Sequence, residues 1–257
     1  MFKEFHYQVR GKGHLRDGTP GQDRTGYLSR GGVQVLCLAD GAGSASHSQF
    51  GAQAVVDEAC TMLVDRFAEF SASDDGARVR VELLGQLVLK LNNVANRHGV
   101  KPGDLASTFL CVAVSGKRFL GAHIGDGVVG YVKNGELKVI SAPDNSEFAN
   151  QTTFVTSGRA LESMRLFRGS LDGVAGFILM SDGTGESLFD SRTGELARAC
   201  AKLIAAVGSA PAELSKTSKH TKRLRRLMDL KIRAATKDDC SIGILGRNAA
   251  SRSDGAA

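Results

Sequence analysis

The 257-residue chain carries 33 Lys/Arg against 27 Asp/Glu, a formal net charge of +6, with 42% hydrophobic residues and five cysteines. That composition excludes a disordered or collagen-like chain, and a domain of this size buries roughly 70–75% of its unfolded surface without disulfide staples. An odd cysteine count with no Cys-x-x-Cys pair reads as reduced core thiols of a cytoplasmic protein, and no apolar run forms a signal core or spans a membrane.

One domain is expected over residues 1–247, followed by a disordered tail over 248–257. Phe5–Val9 reads as an edge strand. Residues 11–23, rich in Gly and carrying Pro20, read as a loop. Val33–Ala39 has six apolar residues of seven between Gly31-Gly32 and Gly41, and reads as a buried strand ending on Asp40. Ser44, Ser46 and Ser48 are N-cap candidates for a helix over 49–70 with Val55, Cys60, Met62, Leu63 and Phe67 on its apolar stripe. A second helix over 77–97 turns Val81, Leu84, Leu87, Val88 and Leu91 inward and ends at Gly99.

Four short apolar runs follow, at 108–115, 119–124, 128–133 and 137–140. Asn134-Gly135 between the last two is a hairpin signal. Residues 144–152 read as a polar loop, with Asp144 and Asn145 bordering a site. Residues 154–156 and 173–181 read as strands, 192–207 and 219–235 as helices, and 239–245 as the closing strand. This order predicts an α+β fold in which antiparallel sheets are covered by helices.

The basicity is local. Between Ala210 and Lys237 stand nine Lys/Arg and two acidic residues, and the remainder holds 24 against 25. The segment reads first as a solvated helix face, with docking of an acidic partner or phosphoprotein as the alternative. It lacks the interleaved aromatics that stack bases, which disfavours a nucleic-acid partner.

Carboxylates recur where strands end. Asp40, Asp126 and Asp182 each precede a glycine after an apolar run, and Asp238-Asp239 opens the last strand. Oxygen ligands without clustered His or Cys suit Mg²⁺ or Mn²⁺. Crowded carboxylates raise one another's pKa unless a cation neutralises them. Two ions roughly 3.5–4 Å apart can share a carboxylate and generate a hydroxide that attacks phosphorus in line. Strand alternation sends Asp238 and Asp239 to opposite faces, so one of the two is expected to be the ligand. His47 reads as a capping or loop residue and His123 as a satisfied core histidine.

Seven motifs in order resemble the metal-dependent type-2C protein serine/threonine phosphatases, compact bacterial branch, over about residues 8–246. They are Gly21-Gln-Asp23, Leu38-Ala-Asp-Gly-Ala-Gly43, Ala106-Ser-Thr-Phe109, Ile124-Gly-Asp-Gly127, Asn150-Gln-Thr-Thr-Phe154, Met180-Ser-Asp-Gly183 and Lys237-Asp-Asp-Cys-Ser241. The resemblance implies a four-layer αββα sandwich, two antiparallel sheets flanked by helix pairs. It implies hydrolysis of phosphoserine and phosphothreonine by metal-activated water at two Mn²⁺ or Mg²⁺ ions, with a weaker third. Asp40 would bridge the ions, the Gly41 carbonyl would bind the second, and Asp182 and Asp238 the first. Asp23 would orient the water and Asp126 would help hold the third ion. Phosphoprotein substrates and an opposing serine/threonine kinase are the implied partners.

Two departures stand out. Gln22 replaces the family's usual Glu, which implies weaker binding of the second ion. The Arg that commonly grips phosphate would fall at Gly18–Pro20, leaving Arg16 and His14 as the nearest candidates. Both departures favour the alternative of a catalytically weak regulatory or binding module on the same fold.

Overall fold

The computed structural model describes residues 1–143, 152–211 and 218–248. The chain begins with β1 (Lys3–Val9), a short helix α1 (Lys12–Asp17), β2 (Arg24–Arg30) and β3 (Val33–Ala39). Two long helices follow, α2 (Ser48–Ala72) and α3 (Gly76–His98). Then come β4 (Phe109–Ser115), β5 (Arg118–Ile124), β6 (Val128–Lys133) and β7 (Glu136–Ser141). After α4 (Ala160–Ser163) stand β8 (Arg165–Ser170), β9 (Val174–Met180), α5 (Asp182–Leu188) and the small hairpin β10 (Phe189–Asp190) and β11 (Glu195–Leu196). The chain ends with α6 (Ala199–Gly208), α7 (Lys219–Leu227) and β12 (Cys240–Gly246). α7 runs on through a π turn, Met228–Ile232, to Ala235.

Two five-stranded antiparallel sheets form, ordered β1-β12-β9-β6-β7 and β2-β3-β4-β5-β8. Strand alternation then builds three apolar layers. Val35, Cys37 and Ala39 of β3 pack with α2 and α3, while Leu36 and Leu38 pack with Phe177 and Leu179 of β9 between the sheets. Ile178 and Met180, the alternate residues of β9, face α6 and α7 together with Ile242 and Ile244 of β12. The result is the expected four-layer αββα sandwich. All five cysteines are free and buried. No described helix is long and apolar enough to cross a membrane.

Several elements depart from expectation. The loop over 11–23 contains α1, closed by Gly18 in the left-handed region at φ 74°. β2 was not expected. It pairs with β3 from Arg24↔Ala39 to Arg30↔Val33 around a Gly31-Gly32 turn, whose φ values of 61° and 79° only glycine adopts freely. β8 was not expected either, and residues 154–156 form a turn rather than a strand. The helix over 192–207 starts only at Ala199, because β10 and β11 occupy its first half. On α3, Val81 is 54% exposed, and Val79 and Leu83 face inward instead. The N-cap of α2 is His47, without a capping side-chain bond, rather than one of the serines. Asp144, Asn145, Asn150 and Gln151 lie outside the described residues, as does the expected tail beyond Asn248.

Candidate active site

Asp40 leaves the end of β3 with its backbone fixed from both sides. Its N–H donates to Thr108 Oγ1 at 2.9 Å, and its carbonyl accepts from Thr108 N–H at 2.8 Å. Gly41 bridges Ser107, and Ala42 N–H donates to Ala106 O at 2.9 Å. The Ala106-Ser-Thr segment thus clamps the whole Asp-Gly turn. A Cβ at Gly41 would sit 2.8 Å from Ser48 Cβ, so only glycine lets the turn pack against the start of α2.

Asp126 lies in the turn between β5 and β6. Thr152 Oγ1 donates to its Oδ2 at 2.5 Å, while its Oδ1 is buried without a partner among the described residues. Asp182 opens α5 after β9, and its Oδ1 accepts from Gly183 N–H at 2.6 Å. A Cβ on Gly183 would fall 2.2 Å from Asp239 O, so this glycine lets α5 approach the start of β12.

These elements bring Asp40, Asp126 and Asp182 together, each offering an oxygen within 4.8 Å of the others. Asp238 is exposed beside this trio, close enough to act on Asp40 and Asp182. Burial, then the negative charges of Asp23, Asp182 and Asp238, push the Asp40 carboxyl well above the usual range. Burial, then Asp126 and Asp238, push Asp182 up to about 7. Asp23 is 3% exposed and is pushed up to about 6, first by burial, with Asp40, Ser241 and Ser181 offsetting part of the shift. Neither Asp23 oxygen meets a good hydrogen-bond donor among the described residues. No Lys, Arg or His among them pairs with Asp40, Asp126 or Asp182.

Asp239 has a different task. It is 1% exposed, its Oδ1 accepts from Gly11 N–H at 2.6 Å and faces His14 Nδ1 at 2.9 Å, and its Oδ2 accepts from Gln22 N–H at 2.5 Å. One carboxylate therefore fastens both ends of the 11–22 segment to β12. Gly13 N–H adds a bond to Lys237 O at 2.8 Å. Gln22 is 4% exposed, with its Oε1 4.0 Å from where a Cβ on Gly43 of the Asp-Gly-Ala-Gly turn would stand.

The two phosphate candidates separate. Arg16 has a side chain 73% exposed and turns to its neighbour Asp17, whereas His14 is held against Asp239. Sequence reasoning passed over Arg10, whose guanidinium donates to His14 O at 2.7 Å, and over Thr152 on Asp126. Thr152 lay within a quoted motif, so its signal was present. Arg10 carried none, because its relation to His14 depends on α1. His123 is fully buried, with Nδ1 2.7 Å from Ser141 Oγ, and burial pushes its pKa down to about 3, as suits a core histidine. His47 sits at the head of α2 with its ring near Phe50 and His98.

The profile of the protein phosphatase 2C family matches residues 10–227. No curated protein sequence matches the chain. Among solved structures, a bacterial serine phosphatase superposes with a TM-score of 0.66 at 16% identity, covering 96% of this chain and 98% of that one. A Staphylococcus aureus serine/threonine phosphatase gives 0.62 at 17% identity, covering 96% of both chains. The S. agalactiae serine/threonine phosphatase gives 0.63 at 14% identity, covering 96% and 100%. These likenesses show the shared sandwich, and the profile match extends across the segments that carry Gln22, Asp23, Asp40, Asp126 and Asp182. The chain belongs to the protein phosphatase 2C family, the phosphoprotein phosphatases.

Proposed function

We propose that this chain hydrolyses phosphoserine and phosphothreonine esters of proteins at a centre of two Mg²⁺ or Mn²⁺ ions, with a weaker third. The observation that carries the reading is the Asp40, Asp126 and Asp182 trio, its oxygens within 4.8 Å and no protein cation bonded to it among the described residues. Such a cluster stays ionised at neutral pH only with cations to offset it, and its all-oxygen donor set fits hard divalent ions.

In this reading Asp40, Asp182 and Asp238 would hold the first ion, Asp40 with the Gly41 carbonyl and the Gln22 amide oxygen would hold the second, and Asp126 would hold the third. When bound, the ions supply Lewis acidity that makes water a nucleophile at neutral pH and offsets charge on the phosphoryl oxygens. The protein's own groups do the rest. Asp23, buried beside Asp40, accepts a hydrogen bond from the attacking water and takes its proton at a carboxylate oxygen. His14 and Arg10 stand in the adjoining segment as the groups that meet the phosphate. The free buried thiols suit a cytoplasmic protein, and a serine/threonine kinase is the opposing partner that the family implies.

The test is turnover of p-nitrophenyl phosphate and phosphopeptides with Mn²⁺, with and without chelator, on the natural protein and on Asp182→Asn. Turnover that persists in chelator, or an unimpaired Asp182→Asn variant, overturns the reading.

Gln22 favours a second reading, a catalytically weak regulatory module, because a neutral amide replaces a charge beside the second ion. The two readings part on one variant. Gln22→Glu is expected to tighten the weaker Mn²⁺ site about ten-fold in a calorimetric titration, since one added charge near a partly buried ion is worth roughly 1–2 kcal/mol. The module reading holds if metal binding tightens and turnover stays absent.

A further inference from the structure

The basic segment forms a face rather than a scatter. Lys219, Lys222, Arg223 and Arg226 fall at spacings of three and four on α7, all exposed. Thr221, Leu224 and Met228 turn to the opposite side and are buried against the outer face of the β1-β12-β9-β6-β7 sheet. The four cations have no ion-pair or hydrogen-bond partner among the described residues. Arg225, by contrast, leaves this stripe and lies over the Tyr7 ring at 5.2 Å. Leu230, 54% exposed, continues the stripe.

The chain that carries this face runs on to Asp238. From Ala235 the chain passes directly to Asp238, and the helix end is fixed beside α1 by Lys12 Nζ donating to Ala234 O and Gly13 N–H to Lys237 O, both at 2.8 Å. Arg226 stands twelve residues before Asp238. Nine of those residues are helical, at about 1.5 Å each, and the last three are not, so the path is at most about 23 Å, or about seven residues of extended peptide.

We propose that the Lys219–Arg226 face of α7 docks an acidic stretch of the phosphoprotein substrate, beginning about seven residues from the phosphorylated side chain. The inference rests on the phosphatase reading for its substrate and on charge complementarity for its partner. Four unpaired cations in one row supply attraction and orientation to an acidic chain. The face holds no aromatic residue on which bases stack, which sets it apart from single-stranded nucleic-acid platforms. The apolar side of α7 is already buried in the core, and Leu230 alone offers too little apolar area for a lipid surface.

The experiment compares two phosphopeptides, one with four Glu at that distance and one with four Gln, on the full chain and on the Lys222→Glu, Arg223→Glu, Arg226→Glu triple variant. The natural protein is expected to show about a ten-fold lower KM for the Glu peptide, a preference that shrinks between 50 and 500 mM NaCl. In the triple variant the preference disappears, while KM for the Gln peptide, kcat and p-nitrophenyl phosphate turnover stay within about two-fold of the natural values. Equal KM values for the two peptides in the natural protein overturn the proposal. So does a variant that keeps the preference, or one that loses affinity only for DNA or for phosphatidylserine vesicles. Should no substrate be turned over, the phosphatase reading fails separately. Fluorescence anisotropy of the same two peptides carrying a non-hydrolysable phosphonate then decides the docking.

Discussion

Asp40→Asn is expected to lower metal-dependent kcat/KM by about a thousand-fold or more and, in chelator, to raise Tm. The loss follows from its place in the cluster. Asp40 shares the 4.8 Å trio and is the carboxylate acted on at once by Asp23, Asp182 and Asp238. On the proposed reading Asp40 would hold both ions, so removing its charge forfeits several kcal/mol of charge stabilisation, and each 1.4 kcal/mol is ten-fold in rate. The gain in stability follows from linkage. The folded carboxyl of Asp40 lies above its unfolded value, and those of Asp23 and Asp182 lie near 6 and 7 against 3.8. Across that interval the metal-free folded state binds protons that the unfolded chain does not. The repulsion is therefore already half relieved at Asp182 near pH 7, and it is relieved further as the pH falls toward 4. Metal-free protein should gain Tm on acidification from pH 8 to 5.5, at up to about 1.4 kcal/mol per pH unit for each excess proton. Mn²⁺ should raise Tm most at pH 8, where it replaces protons that are absent. Asp40→Asn removes one of the mutually repelling charges, so its pH slope and its Mn²⁺ response should both be smaller. Scanning calorimetry at both pH values, with chelator and with Mn²⁺, decides the matter. A variant that melts lower than the natural protein in chelator would show that Asp40 is a structural acid and not an ion ligand.

How far the sequence could be read depended on how many faces an element buries. β3 was legible from end to end because both of its faces are buried, so its residues form an unbroken apolar run with a glycine at either end. β2 was missed although it pairs with β3 along its whole length, because an edge strand with mixed burial alternates Arg, Thr, Gly and Tyr and carries no run. The two long helices were found within two residues of their ends, yet Val81 was assigned to the buried side of α3. Val79 and Val81 differ by two positions, and only the packing against α2 chooses between them. At the site, the order of Asp-Gly turns was legible because glycine is required there by close approach, as at Gly41 and Gly183. The fate of the upstream segment was not. Arg16 and His14 stand two residues apart in a chain stretch that reads as loop, and the short helix α1 sends one to solvent and the other to Asp239.

Asp238 and Asp239 are the sharpest case of identical neighbours with separate tasks, and their substitutions should have opposite signatures. Asp239→Ala removes the acceptor of two buried backbone N–H groups and the partner of His14. Leaving such donors unpaired should cost about 3–5 kcal/mol of stability in urea unfolding, with or without metal. Activity should fall by at least about a hundred-fold in molecules that remain folded, because Gln22 and Asp23 lose the bond that sets them against Asp40, and a displacement of about 1 Å is enough for that loss. Asp239→Asn keeps the shape and one acceptor oxygen, but turns an N–H₂ donor toward a backbone donor. It should fall between the natural protein and Asp239→Ala in both measurements. Asp238→Ala behaves in the contrary way. Its carboxylate is exposed and adds to the repulsion on Asp40 and Asp182, so metal-free stability should hold or rise slightly while Mn²⁺ affinity and turnover fall. Urea unfolding in chelator and a Mn²⁺ binding isotherm on the two variants separate these tasks. If Asp238→Ala unfolds as easily as Asp239→Ala, or if Asp239→Ala loses Mn²⁺ affinity without losing stability, the assignment of ligand and fastening between the two residues is reversed.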